Sequence, residues 1–119
     1  MQFDRKILVE TIKRLLRREA MPHLQKIVNK AHGADLSVVF HSLSLSHQKK
    51  LFSMIEDIEQ KGILFSELDE DIFLDLVEDM NIDEMVEILE AMPTDDIADL
   101  IGKMPETMSS AILEKMKKE

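Results

Sequence analysis

Four consecutive segments decide the fold: DEDIFLDLVEDM (69–80), NIDEMVEILEAM (81–92), PTDDIADLIGKM (93–104) and PETMSSAILEKM (105–116). Each segment is twelve residues long and ends in methionine. Apolar residues recur at positions 5, 8, 9 and 12 of each unit, except that position 5 of the last unit is Ser109. This spacing places the apolar side chains on one face of an α-helix.

The same pattern extends towards the N-terminus in three further units. These are HGADLSVVFHSL (32–43), SLSHQKKLFSMI (44–55) and DIEQKGILFSEL (57–68), with Glu56 inserted before the third. Gln48 and Lys61 occupy position 5 in two of them. The sequence therefore contains seven units over residues 32–116.

One continuous helix cannot carry this repeat. Each residue advances about 100° around a helix axis, so a twelve-residue step leaves the next apolar stripe rotated by about 120°. The chain must therefore turn at each unit boundary, where Pro93 and Pro105 open their units and Ser44 and Asn81 are suitable N-caps, Asn81 together with Glu84. Helices of nine or ten residues are unstable alone and must stack. We therefore predict an all-α fold, a right-handed superhelical stack of short helices.

Residues 1–31 have a different pattern and are predicted to form capping helices, the first of them longer than those of the repeats. The apolar stripe of the first helix consists of Phe3, Ile7, Leu8, Ile12, Leu15 and Leu16. Pro22 is expected to open a second helix. The first helix is also rich in Lys and Arg, and a basic amphipathic helix of this kind can lie on a membrane. We expect instead a solvated basic face and treat residues 1–119 as a single domain.

Composition and charge narrow the possible functions. The chain has no cysteine, which excludes disulfides, thiolate metal sites and cysteine nucleophiles. Residues 1–55 carry a net charge of +6 and residues 56–119 a net charge of −15. The acidic half argues against nucleic acid and favours cations or a basic partner. No secretory signal or run of about 20 apolar residues is present, so direct membrane insertion is not expected.

Two short motifs resemble a known family. The stretch His32-Gly33-Ala34-Asp35-Leu36 is similar to the "HPADL" element, and residues 93–101 (PTDDIADLI) are similar to the "DPDDAADLL" element, of MgtE-type magnesium transporters. Together with the twelve-residue rhythm, these motifs resemble the N-terminal superhelical domain of that family over about residues 32–116.

This resemblance implies a regulatory function. In such transporters the domain lies in the cytosol ahead of a pair of CBS domains, a connecting helix and a membrane pore, in a homodimer. It senses cytosolic Mg²⁺, which binds between it and the CBS domains and holds a closed state. The 119 residues contain neither a CBS pair nor a membrane span, so we expect either a piece of a longer transporter or a free-standing relative.

The resemblance places metal-binding residues on one predicted helix. Asp95 and Asp99 are at i and i+4, so their carboxylates project from one helix face, and Asp96 lies beside them. They occupy the acidic positions with which the family holds Mg²⁺ at the domain interface. Because Mg²⁺ takes octahedral oxygen coordination, these aspartates fill only part of a site, and water or a second domain would supply the rest. An alternative is that they only stabilise the helix start and solubility.

Other acidic pairs have similar spacing and are candidates for weak cation sites, although such pairs are more often solvated: Glu67/Asp71, Asp75/Asp79 and Glu87/Glu90. The four histidines lack the spacing of a zinc motif. No nucleophile elbow or phosphate-binding loop is found, and we expect no enzymatic activity.

The alternative function is a helical-repeat scaffold for protein partners, similar to the middle domain of the flagellar switch protein FliG, with no role for a metal.

Overall fold

The computed structural model describes residues 4–117, and every regular element in that range is an α-helix. The helices are α1 (Arg5–Arg17), α2 (Met21–Lys30), α3 (Gly33–Phe40), α4 (Leu45–Met54), α5 (Ile58–Glu67), α6 (Glu70–Val77), α7 (Ile82–Glu90), α8 (Thr94–Lys103) and α9 (Glu106–Lys117). None of these helices is long and apolar enough to cross a membrane. The prediction of an all-α fold is confirmed.

The seven helices α3 to α9 follow the seven sequence units. Each unit contains one helix, and only α9 extends one residue beyond its unit, to Lys117. The rotation of the apolar stripe between units therefore does break the chain into short helices. The stack of short repeated helices is confirmed, whereas its right-handed twist stays a prediction.

Side-chain caps mark several of the unit boundaries. The Ser44 hydroxyl accepts a hydrogen bond from His47 N, and the Asn81 side chain accepts one from Asp83 N. His32 caps α3 by accepting from Ala34 N through Nδ1. Each cap satisfies an N–H that has no partner inside the helix. These contacts stabilise helices that are too short to persist alone.

The helices pack in two rows. Helix α3 packs most extensively against α5, α5 packs against α7, and α7 packs against α9. Helices α4 and α6 form a second row, and α1 packs on α2 and α3. Helix α8 contacts α5 less extensively. The result is an elongated stack measuring 42 × 28 × 22 Å, with α1 at one end of the chain of contacts and α9 at the other.

Ion pairs join elements that lie two helices apart in the sequence. Arg5 on α1 contacts Asp35 on α3 at 2.8 Å, and Lys115 on α9 contacts Asp83 on α7 at 2.8 Å. Lys61 on α5 lies 3.8 Å from Glu84 on α7. These pairs are partly exposed, so each contributes about 0–1 kcal/mol. The ion pairs therefore contribute little to the stability of the stack.

The centre of the core is aromatic. The Phe52 and Phe65 rings stack at 5.3 Å between centroids, and Phe73 meets Phe65 edge-on at 5.2 Å. These rings come from α4, α5 and α6 and join the two rows. Phe65 and Phe73 have no exposed surface. Burial of each aromatic side chain contributes about 1.5–3 kcal/mol by the transfer scale.

Gln48 is a polar residue inside the core. It occupies position 5 of its unit, which is apolar in four of the seven units, and is only 6% exposed. Its Nε2 donates to Phe40 O at 2.9 Å and Leu43 O at 3.2 Å, carbonyls at and after the end of α3. Phe40 O also accepts from Leu43 N, so the side chain gives this carbonyl a second donor and provides a donor to Leu43 O beyond the end of α3.

Two residues of the predicted apolar stripes are exposed. Ile7 is 62% exposed because it lies about 100° around α1 from Leu8, on the side away from the face that packs on the stack. Leu113 is 49% exposed because α9 is the last described helix of its row and packs only on one side, against α7. Phe3 lies outside the described residues.

Candidate cation-binding site

Helix α8 carries the three aspartates of the predicted site. It begins after Pro93, whose backbone carbonyl accepts hydrogen bonds from Asp96 N and Ile97 N. Asp95 and Asp96 lie in its first turn. No side chain caps this end, so the N–H groups of the first turn lie close to the two carboxylates. The helix dipole favours negative charge at this position.

The three carboxylates lie along one arc of the helix surface. At about 100° per residue, Asp99 lies about 40° from Asp95 and about 60° from Asp96, between the two. Asp95 and Asp99 are exposed and Asp96 is half-buried. Among residues 4–117, none of the three carboxylates has a hydrogen bond or ion pair to another side chain. Their oxygen atoms are therefore available to a ligand from outside the domain.

A small cleft brings two of these aspartates together. It has a volume of about 40 Å³ and is lined by Ser66 of α5 and by Asp96, Asp99, Leu100 and Lys103 of α8. Asp95 is not part of this lining and faces solvent. The structure therefore places Asp96 and Asp99 on the α5 side of the helix, with Asp95 on its outer edge.

A larger cavity continues from the cleft. It has a volume of about 490 Å³, and Ser66 and Asp96 line both spaces. Glu59 of α5 and Glu90 of α7 also contribute to its wall. The remaining wall is formed by Gly62, Ile63, Ala91, Met92 and Pro93. Asp96 is thus at the junction of two spaces bordered by carboxylates from three helices.

Two residues of this site, Lys103 and Ser66, were not predicted from the sequence. Lys103 is half-buried in the same cleft, and its position four residues after Asp99 is the signal that could have found it. It forms no ion pair with Asp96 or Asp99, but its positive charge opposes the binding of an added cation. Ser66 enters only through the packing of α5 against α8, for which the sequence offers no local signal.

The other acidic pairs have different surroundings. Asp79 accepts a 2.7 Å hydrogen bond from Lys49 Nζ, and this bond raises the pKa of Lys49. Glu87 and Glu90 line a cavity with Asp83 and Lys115. Glu67 and Asp71 are exposed and have no ion pair within residues 4–117. The described residues contain no group of three or more histidine or acidic side chains arranged to hold a metal ion.

Comparison with known families agrees with the two sequence motifs. The family model described as the MgtE intracellular N domain matches residues 31–119. The chain belongs to this family. No curated protein matches the sequence significantly.

The MgtE match covers helices α3 to α9 and the acidic face of α8. Its family is that of a Mg²⁺ transporter domain rather than of an enzyme class, which favours the transporter interpretation over the flagellar scaffold. Helices α1 and α2 precede the matched residues. The chain departs from the family element at Gly33, where the resembled motif has proline.

Proposed function

We propose that this domain senses intracellular Mg²⁺ for its transporter through Asp95, Asp96 and Asp99, and so regulates ion transport. The observation that carries the proposal is the set of three carboxylates on one arc of α8, free of partners among the described side chains. Carboxylate oxygens suit Mg²⁺, which is commonly held by one or two carboxylates and several waters. The donor set therefore fits this ion as part of a site.

The remaining ligands would come from water and from a second domain. The partner that best fits the family is the CBS pair of the same transporter, which acts as a homodimer with a membrane pore. In this arrangement the domain lies at the cytosolic face of the membrane. Asp95 and Asp99 are both exposed, Asp99 at the cleft and Asp95 at the outer edge, so a second surface can approach them without rearrangement of α8.

Regulation would follow from charge. Two acidic surfaces repel each other when no cation lies between them, and a bound Mg²⁺ bridges them. The ion shifts the equilibrium between the open and closed arrangements only by its difference in affinity for the two. Of the three carboxylates, that of Asp96 lies at the junction with the larger cavity on the α5 side, and that of Asp95 lies at the outer edge.

Protease protection of the full-length transporter tests the proposal. We expect Mg²⁺ to protect the wild-type protein from cleavage between its domains and to protect Asp95→Ala/Asp99→Ala only at higher Mg²⁺. Glu67→Ala/Asp71→Ala is the matched control, because it removes two exposed carboxylates that also lack ion pairs within residues 4–117. Equal protection of both double variants would rule out the role of α8.

A further inference from the structure

Helix α1 carries a segregated positive charge that the Mg²⁺ proposal leaves unused. Residues 4–30 contain eight Lys or Arg and three Asp or Glu, whereas residues 56–119 carry a net charge of −15. This region precedes the residues that match the family model. Its charge is therefore a property of this chain that family membership leaves unassigned.

The cations of α1 are concentrated on its outward side. Leu8, Ile12, Leu15 and Leu16 are buried against the stack and span about 100° of the helix surface. The opposite side carries Lys6, Lys13, Arg14, Arg17 and Arg18, which we call the basic face of α1. Glu10 lies among them, so this side of the helix has a net charge of +4. Lys13 is half-buried and the other four are exposed. At 1.5 Å per residue the face extends over about 18 Å.

The five cations of the basic face are not ion-paired within the described part of the chain. Elsewhere the cations Arg5, Lys49 and Lys115 each contact an aspartate of a neighbouring helix at 2.7–2.8 Å. The five side chains of the basic face make no such contact with residues 4–117. They remain available to an external anionic surface.

Ile7 lies within the same face. On the helix surface it falls between Arg14 and Arg18, about 20° from each. It is the most exposed of the large hydrophobic side chains of the described residues, at 62%. An isoleucine surrounded by arginines can contact the apolar edge of a lipid headgroup layer while the guanidinium groups contact phosphates.

We propose that the basic face of α1 docks the domain electrostatically on an anionic phospholipid membrane. The apolar side of α1 is already buried in the stack, so the helix is preformed and contacts the surface without inserting. The family belongs to a membrane transporter, which places such a surface near the domain. The proposal does not depend on Mg²⁺ binding by α8.

The separation of charge along the stack orients this contact. The stack is 42 Å long and α1 and α9 are at its opposite ends. Electrostatic screening acts over about 8 Å at physiological ionic strength, so the charges of α7 and α9, further along the chain of contacts, oppose the attraction at α1 only weakly. The acidic helices are repelled by the membrane and therefore face away from it.

A second copy of the chain is the competing anionic partner. Asp79 and Asp83 of its acidic half already form ion pairs with lysines of the same chain, and the unpaired carboxylates lie on separate short helices such as α8. A membrane presents a flat and uniformly anionic surface that matches a linear basic face with no pocket. Charge complementarity therefore favours the lipid surface.

Vesicle co-sedimentation of the 119-residue protein tests the proposal. The probes are vesicles of phosphatidylcholine alone and of phosphatidylcholine with about one third phosphatidylglycerol. Each cation near an anionic membrane contributes about a fivefold gain in partitioning, so Arg14→Glu/Arg17→Glu should weaken binding to the anionic vesicles by at least tenfold. Binding of the wild-type protein should fall as salt rises and be absent with phosphatidylcholine alone.

Lys50→Glu/Lys117→Glu is the matched control, because it makes the same change in net charge at two exposed lysines outside α1 that lack ion pairs with residues 4–117. It should retain at least half of the wild-type binding. Arg14→Gln/Arg17→Gln gives the same comparison if charge reversal prevents folding, which circular dichroism detects. Equal weakening in the control, equal binding to neutral vesicles, or no binding to anionic vesicles would overturn the proposal. So would a loss of dimer on sedimentation equilibrium in Arg14→Glu/Arg17→Glu with vesicle binding unchanged.

Discussion

The backbone N–H of Gly33 donates a hydrogen bond to the side-chain Oε1 of Gln60 at 2.6 Å. The bond joins the start of α3 to α5, the two helices that pack most extensively on each other. A proline at position 33, as in the resembled motif, would have no N–H to donate. The hydrogen bond of Gln60 therefore requires a residue other than proline at position 33.

We predict that Gly33→Ala destabilises the domain by about 1–3 kcal/mol. A Cβ atom at this position would lie 2.7 Å from Gln60 O and 2.9 Å from Ile63 Cβ, and the backbone of α5 cannot move away easily. Chemical denaturation measures the change. Gly102→Ala is the control, because a Cβ there meets open space inside a helix, and it should stabilise by about 0.5–1 kcal/mol. Similar effects of both substitutions would contradict the close approach of α3 and α5.

The end of α1 gives a second prediction. Glu19 has φ of 54°, and its N–H and that of Ala20 donate to Leu16 O and Leu15 O, which closes the helix in a Schellman motif. Glu19→Gly should stabilise the domain by about 1 kcal/mol because glycine adopts this conformation without strain. Thermal unfolding should show a higher midpoint. Glu10→Gly removes the same charge inside the same helix and should instead destabilise by about 1 kcal/mol.

Gln48 and Lys61, two of the three polar residues at position 5 of the repeat, should respond differently to apolar substitution. Gln48→Leu should cost about 1–3 kcal/mol because Leu43 O loses the side-chain donor and Phe40 O keeps only the backbone N–H of Leu43. Lys61→Met should change stability by less than about 1 kcal/mol, since Lys61 Nζ lies 3.8 Å from Glu84 and 5.3 Å from the Phe52 ring centroid, contacts of modest strength. Denaturant titration of both variants makes the comparison, and a larger loss for Lys61→Met would contradict it.

Gln48 also shows which features of the fold could be predicted from the sequence and which could not. The repeat period determined the number of helices and their boundaries because a rotation of about 120° per unit leaves no alternative to turning. It also identified the core face, since position 8 is buried in every unit from Leu76 to Ile112. The hydrogen bonds of Gln48 depend on where the end of α3 lies in space, which the period does not give.

The candidate site was predictable only along its own helix. The i and i+4 spacing placed Asp95 and Asp99 together because both are on α8, whereas the contact of α8 with Ser66 of α5 depends on packing between distant segments. The exposure of Ile7 was missed for a related reason. An apolar residue at the edge of a stripe is buried only if a neighbouring helix covers that edge, and no described helix covers it.

Lys103 should weaken cation binding at α8. Lys103 lines the cleft together with Asp96 and Asp99, and its positive charge opposes an added cation. Lys103→Gln in the full-length transporter should therefore lower the Mg²⁺ concentration needed for protease protection by about two- to fivefold, as expected for one partly exposed charge. Lys50→Gln, on α4, removes an equal charge away from the cleft and should leave the midpoint unchanged. A midpoint that rises in Lys103→Gln would show that the lysine assists rather than opposes binding.

The dependence of transport on cytosolic Mg²⁺ tests the central claim most directly. The measurement is transport rate against cytosolic Mg²⁺ in the full-length protein, for the wild type, Asp95→Asn/Asp99→Asn and the control Glu67→Gln/Asp71→Asn. The substitutions keep side-chain size and remove only charge. We predict that the concentration giving half-maximal inhibition rises at least several-fold in Asp95→Asn/Asp99→Asn and stays at the wild-type value in the control. An unchanged concentration in Asp95→Asn/Asp99→Asn, in a protein that folds and transports normally, would contradict Mg²⁺ sensing by α8.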